Sequence, residues 1–264
     1  MTGTTTRSLP PVREQARAVR RRHGGYAGLR VAGGVVTAVL VAGAAVGSVP
    51  GMLRQSATQL LDLPDDLDRV VVQAPIGDVE VRELRAGERA QVEAQVSWAL
   101  DQPELELLDG PDDGSVLVQA PCGDNLGQCS ADFSLAVPPG TDVEVAGGFG
   151  DVDVSTTGAV EASATGGDLT IGGSPERVEL DSTMGDVTVE SRGETPPELV
   201  RVDSTMGDVR VVLPRGFSYA VTTDADLGDA EVTVDRVADS PYVVDVGTTM
   251  GDVAVTSAAP SGDG

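Results

Sequence analysis

Through the C-terminal two thirds of the chain, apolar and polar residues alternate in short runs, each introduced by Gly-Asp. Val79-Glu80-Val81 follows Gly77-Asp78, Val152-Asp153-Val154 follows Gly150-Asp151, and Leu169-Thr170-Ile171 follows Gly167-Asp168. Val187-Thr188-Val189 follows Gly185-Asp186, and Val209-Arg210-Val211 follows Gly207-Asp208. Ala230-Glu231-Val232 and Val253-Ala254-Val255 follow Gly228-Asp229 and Gly251-Asp252. A hydrophobic period of two marks a half-buried strand. Gly ahead of each strand supplies positive φ for a turn, and Asp offers a carboxylate to nearby backbone amides. From Gly150 the copies are spaced 17, 18, 22, 21 and 23 residues apart. Most periods hold a second alternating run, such as Arg177–Leu180, Leu199–Val202 or Tyr242–Val246. Two strands and two turns per roughly twenty residues predict an all-β, β-solenoid-like stacked strand repeat.

One such pair has too little apolar face to be stable alone, so burial must come from stacking successive pairs into a continuous core. Few aromatics, 3% of residues, suit a narrow interior filled by small branched side chains. Met184, Met206 and Met250 recur at one repeat position and are expected to stack inside that core. Residues 68–145 show the same strand style with looser spacing, with strands expected at Val70–Gln73, Ala90–Trp98, Ser115–Gln119 and Phe133–Val137. The repeat domain is therefore set at residues 68–256, behind a tether at 54–67 and ahead of a disordered tail at 257–264.

A different pattern precedes it. Val31 to Leu53 contains no charged residue and is preceded by an arginine cluster. As a helix it would reach roughly 34 Å, enough to cross a bilayer core. Residues 29–53 are read as a transmembrane signal-anchor helix, and residues 1–28 as a disordered basic segment. The arginines place that segment in the cytoplasm and the repeat domain outside, by the positive-inside rule. A cleaved signal peptide ending near Ala42-Gly43-Ala44 is the alternative, and it leaves the domain on the same side. Gly43 and Gly47 fit a small-xxx-small helix interface, which makes a homodimer through the span an option.

Charge sharpens this division. Before residue 31 there are seven arginines and one acid, whereas from Arg54 onward eleven arginines face forty-one acids. A body this acidic repels phosphate backbones, so nucleic acid is excluded as its partner. The two cysteines, Cys122 and Cys129, flank a Gly-rich loop, and an oxidising exterior favours a disulfide between them. A zinc site is the weaker reading, because the single histidine, His23, lies in the basic segment.

Strands led by Gly-Asp-Val behind Ser/Thr-rich turns, as in Asp181-Ser-Thr-Met-Gly-Asp-Val187 and Asp203-Ser-Thr-Met-Gly-Asp-Val209, resemble the bacterial adhesin-type β-strand-repeat family, also called the toastrack domain. Phe133 to Val145 is similar to the strand-turn-strand that commonly precedes those repeats. The likeness spans about residues 68–256 and departs where Met184, Met206 and Met250 replace a common serine. It implies a β-repeat domain of the bacterial envelope, often in membrane-anchored or envelope-stress proteins, and brings no catalytic residues.

His23 is the only histidine, so no Ser-His-Asp or Cys-His arrangement can form in the repeat domain. The expected function is accordingly non-enzymatic: an adhesin-like or envelope-stress scaffold module in the bacterial cell membrane, without cofactor or metal, contacting an envelope protein or surface polymer. Paired carboxylates such as Asp151, Asp153 and Asp168 keep a carbohydrate-active enzyme as an alternative. A ladder of Asp168, Asp186, Asp208, Asp229 and Asp252 keeps Ca²⁺ binding as another, against the plainer expectation that each Asp caps its own turn. Arg20-Arg21-Arg22 is read as a topology signal touching anionic lipid, with a signalling contact as the sharper option.

Overall fold

A computed structural model of the chain describes residues 54–99, 101–122 and 129–258. Every regular element among them is a strand. In chain order these are β1 (Gln55–Asp62), β2 (Arg69–Ile76), β3 (Val79–Glu83), β4 (Gln91–Trp98), β5 (Glu106–Asp109), β6 (Ser115–Gln119) and β7 (Ser130–Val137). Then come β8 (Asp142–Phe149), β9 (Val152–Thr156), β10 (Val160–Ala164), β11 (Leu169–Gly173), β12 (Arg177–Ser182), β13 (Val187–Glu190) and β14 (Leu199–Met206). The last are β15 (Val209–Leu213), β16 (Ser218–Leu227), β17 (Ala230–Val232), β18 (Asp235–Arg236), β19 (Val243–Met250) and β20 (Val253–Ser257). No helix among the described residues is long and apolar enough to cross a membrane, and the expected span at 29–53 lies outside them.

Two ten-stranded sheets hold these elements. The first runs β1-β4-β7-β3-β9-β11-β13-β15-β20-β17, the second β18-β16-β19-β14-β12-β10-β8-β2-β6-β5. Each Gly-Asp turn carries the chain from a strand of the second sheet to one of the first, as from β8 to β9 or β12 to β13. Successive pairs then lie beside one another in parallel register. Antiparallel pairing is confined to one end, where β1, β4 and β7 extend the first sheet and β5 pairs with β6 in the second.

In-register pairing turns sequence alternation into rows of like side chains. On the second sheet, Val70, Val143, Val160, Val178, Val200, Val244 and Val221 form one inward row across seven strands. Facing it, Val79, Val152, Leu169, Val187, Val209 and Val253 form a row on the first sheet. All but Val221 in these rows are at most 2% exposed, and each such side chain removed from water contributes roughly 1.5–3 kcal/mol. A single cluster joins both faces.

Three sequence expectations change here. Gln55–Asp62, read as tether, is strand β1, antiparallel to β4 and covering its otherwise open edge. Its apolar signal is weak because only Ala57 packs on the core, while Leu60 and Leu61 face outward. The Gln59 side chain fixes it further, donating to the Pro103 carbonyl at 2.8 Å and accepting from the Leu105 amide at 2.7 Å. Secondly, the copies do not stack in chain order: β19 and β20 sit between β14–β15 and β16–β17. Thirdly, Met184, Met206 and Met250 are 55%, 42% and 47% exposed rather than part of the core. Alternation turns Ser182, Ser204 and Thr248 inward, and the next two residues both face out where the chain bends toward the other sheet.

Candidate functional site

The Gly-Asp turns come together along one side of the two sheets, and their stacking explains both residue types. Gly77, Gly150, Gly167, Gly185, Gly207 and Gly251 all have φ between 119° and 147°, a region that side chains disfavour. Packing adds a second demand. A Cβ on Gly167 would lie 2.1 Å from the Gly150 carbonyl oxygen, and one on Gly185 would lie 2.0 Å from that of Gly167. Gly228 lacks the positive φ yet meets the same restriction, with the Gly251 carbonyl oxygen 1.9 Å from its Cβ position.

Apart from Asp229 at the end of the series, each Asp caps its neighbour's turn rather than its own. Asp132 Oδ1 accepts from the Asp78 amide at 3.1 Å, and Asp78 Oδ1 accepts from the Asp151 amide at 2.9 Å. The series continues at 2.9 Å from Asp151 to Asp168, Asp186, Asp208, Asp252 and Asp229. Seven side-chain bonds thus run across the strands and supply amides that the backbone ladder leaves unpaired. The sequence placed Asp229 before Asp252; the observed order is the reverse. All eight residues are exposed, and their Oδ2 atoms enter no hydrogen bond or ion pair among the described residues.

Beside this ladder runs a row of exposed apolar side chains, one residue ahead of the Gly in five of the seven turns. Phe149, Met184, Met206, Met250 and Leu227 occupy it, with Leu227 paired to Met250 and Met250 to Met206. Phe149 and Leu227 are 62% and 65% exposed. Sequence reading singled out the methionines and missed these two, although the apolar-Gly-Asp order is visible at each. Thr183, Thr205 and Thr249 form a further exposed row on the other flank. The turn therefore presents hydroxyl, apolar and carboxylate rows side by side.

Two grooves lie nearby. One, of about 310 Å³, gathers Asp78, Glu80, Glu93, Asp132, Asp151 and Asp153 on the first sheet. Partial burial, and then the Glu80 charge, push the Asp153 carboxyl above its ordinary range. Asp168, grouped with Asp151 and Asp153 in the sequence reading, belongs to the ladder and does not line this groove. The other, of about 440 Å³, is lined by Ser163, Asp181, Asp203 and the threonine row. No group of three or more acids, cysteines or histidines among the described residues has metal-binding geometry. Cys122 and Cys129 are joined by a disulfide, with Cα atoms 5.7 Å apart; the loop between them lies outside the described residues.

No family model and no curated protein matches the chain. Among solved structures the chain has matches at low identity. One, provisionally named a cell adhesion protein, is from Clostridium sporogenes and has 8% identity and a TM-score of 0.48, covering 77% of this chain and all of its own. A provisionally named adhesin from Bacteroides fragilis has 14% identity and a TM-score of 0.39, with 77% and 97% covered. Another from Parabacteroides merdae has 11% identity and a TM-score of 0.27, with 78% and 97% covered.

Proposed function

We propose that the chain is a non-enzymatic, single-pass protein of the bacterial cell membrane, whose extracytoplasmic domain is a β-solenoid-like interaction module. The observation that carries this reading is the Thr, apolar and Asp rows on the stacked turns. Repeating side chains on an open, rigid surface suit contact at many points along an extended partner, whereas catalysis demands a few groups converging on one reacting centre. The partner is an envelope protein or surface polymer, and the module serves adhesion or the scaffolding of an envelope-stress response. Anchoring rests on the uncharged segment Val31–Leu53 behind its arginines.

The test is crosslinking and mild-detergent co-purification of the full-length chain from intact cells, beside a chain carrying Asp and Met substitutions on the turn rows. Envelope partners recovered with the first and lost with the second support the reading. Recovery of no envelope component, protein or glycan, with either chain would sink it.

A further inference from the structure

We propose that the Met-Gly-Asp turns bind a cationic amphipathic helix, seated with its apolar stripe on the methionine row and its basic residues along the Asp ladder; this rests on the interaction-module reading above. Ten large hydrophobic residues are exposed among those described, and five of them fall in this one row. Random scatter would spread them over both sheets, and a contiguous exposed apolar patch marks an interaction site. The row is continuous, because the Phe149 ring lies over Gly166, the one position in it without a side chain.

Charge selects the occupant. The six carboxylates of Asp151, Asp168, Asp186, Asp208, Asp252 and Asp229 border the apolar row, and no arginine among the described residues lies within ion-pair distance of them. Anionic lipid and nucleic acid are repelled by such a border. A second copy meeting this face through its own would set two Asp rows against each other. Basic side chains next to apolar ones satisfy both rows at once, and charge complementarity of this kind sets partner choice. Spacing agrees: neighbouring strands lie about 4.8 Å apart, and a helix repeats its face every 5.4 Å or so. Unbranched methionines adjust to the remaining mismatch, as they do on other helix-binding surfaces.

Full-length protein in zwitterionic-lipid nanodiscs, with empty nanodiscs as reference, would be titrated against three labelled helical peptides. One carries a Leu stripe bordered by Lys, the second has Glu for every Lys, and the third has Ser for every Leu. Only the Leu/Lys peptide is expected to bind. M184T/M206T/M250T and D186N/D208N/D252N should each weaken it by at least about tenfold. Asn keeps the Oδ1 acceptor, so the ladder survives the second change, and unchanged far-UV circular dichroism checks the fold of both. Equal binding of the Ser/Lys peptide would reduce the effect to diffuse charge and overturn the proposal. So would affinity unaltered by either triple variant, or no binding at all. If the co-purified envelope partner is lost with the turn-row variants while the peptides fail, this inference falls and the broader module reading stands.

Discussion

The aromatic ring of Phe149 lies across Gly166, its bridge partner just past the end of β10, so that a Cβ at Gly166 would come 3.0 Å from Cδ1 of the ring. The ring is exposed and can swing outward. Gly167, the next residue, has φ +119° and the Gly150 carbonyl oxygen 2.1 Å from its Cβ position. Gly166→Ala should therefore lie within about 1 kcal/mol of the parent in denaturant unfolding, whereas Gly167→Ala should lose more than about 2 kcal/mol. Similar losses at the two sites would refute the close-packed seam.

Asp208 separates the acceptor role of the ladder from its charge. Its Oδ1 holds the Asp252 amide at 2.9 Å. Asp208→Ala should cost about 1 kcal/mol, the net worth of a typical hydrogen bond. Asp208→Asn keeps the acceptor and relieves repulsion between neighbouring carboxylates, so its melting temperature should equal or exceed that of the parent. An Asn variant as unstable as Ala would point to charge rather than hydrogen bonding as the stabilising element.

Acid should reveal the Arg82–Glu88 pair. Arg82 grips Glu88 through two bonds of 2.5 and 2.8 Å, and the Arg85 amide adds a third at 3.0 Å. The Arg82 bond and then the Arg85 amide bring the Glu88 carboxyl down to about 2. A depressed carboxylate stabilises the fold above its unfolded value and loses that contribution as pH falls through the folded one. Melting temperatures of the parent and Glu88→Gln should converge as pH drops from about 4.5 to 2. Parallel curves across that window would show that the pair contributes nothing.

At the other end of the stack, Tyr219 is 1% exposed and donates to the Pro214 carbonyl at 2.7 Å. Burial, with a smaller part from Tyr242, pushes the phenol up to about 12. Since the folded value is raised, the associated stability is complete below pH 10 or so and is lost as pH climbs toward 12. Ultraviolet titration should show one tyrosine ionising late, and Tyr219→Phe should abolish that late step while costing about 1–2 kcal/mol at neutral pH. Ordinary ionisation of every tyrosine would contradict the buried phenol.

Period-two alternation revealed the strands after each Gly-Asp because one face of every such strand is valine-rich and the other polar. β6 was legible to the residue from its apolar run Val116–Val118 between polar ends. What alternation cannot encode is which pairs become neighbours. Gly77 and Gly150 lie far apart in the chain yet stack directly, and β19 displaces β16 from the place beside β14. β1 was hidden because an edge strand with one core contact has almost no hydrophobic period. The ladder was only half legible: a row of carboxylates was offered as an alternative, but the favoured reading had each Asp capping its own turn, whereas the hydrogen bonds join different turns, a relation set by stacking. The methionines were misplaced because recurrence at one repeat position does not tell inside from outside, and the strand already bends there.

The inverted order of the last two strand pairs bears on how the chain acquires its structure. β16 is made before β19, yet its native partner in the main sheet is β19 rather than β14. While residues 243–257 are still missing, the free edge of β14 can accept only the wrong neighbour. Native closure of this end therefore waits for β19 and β20 to emerge. During that interval the domain is exposed to a register error that no amount of local strand propensity corrects.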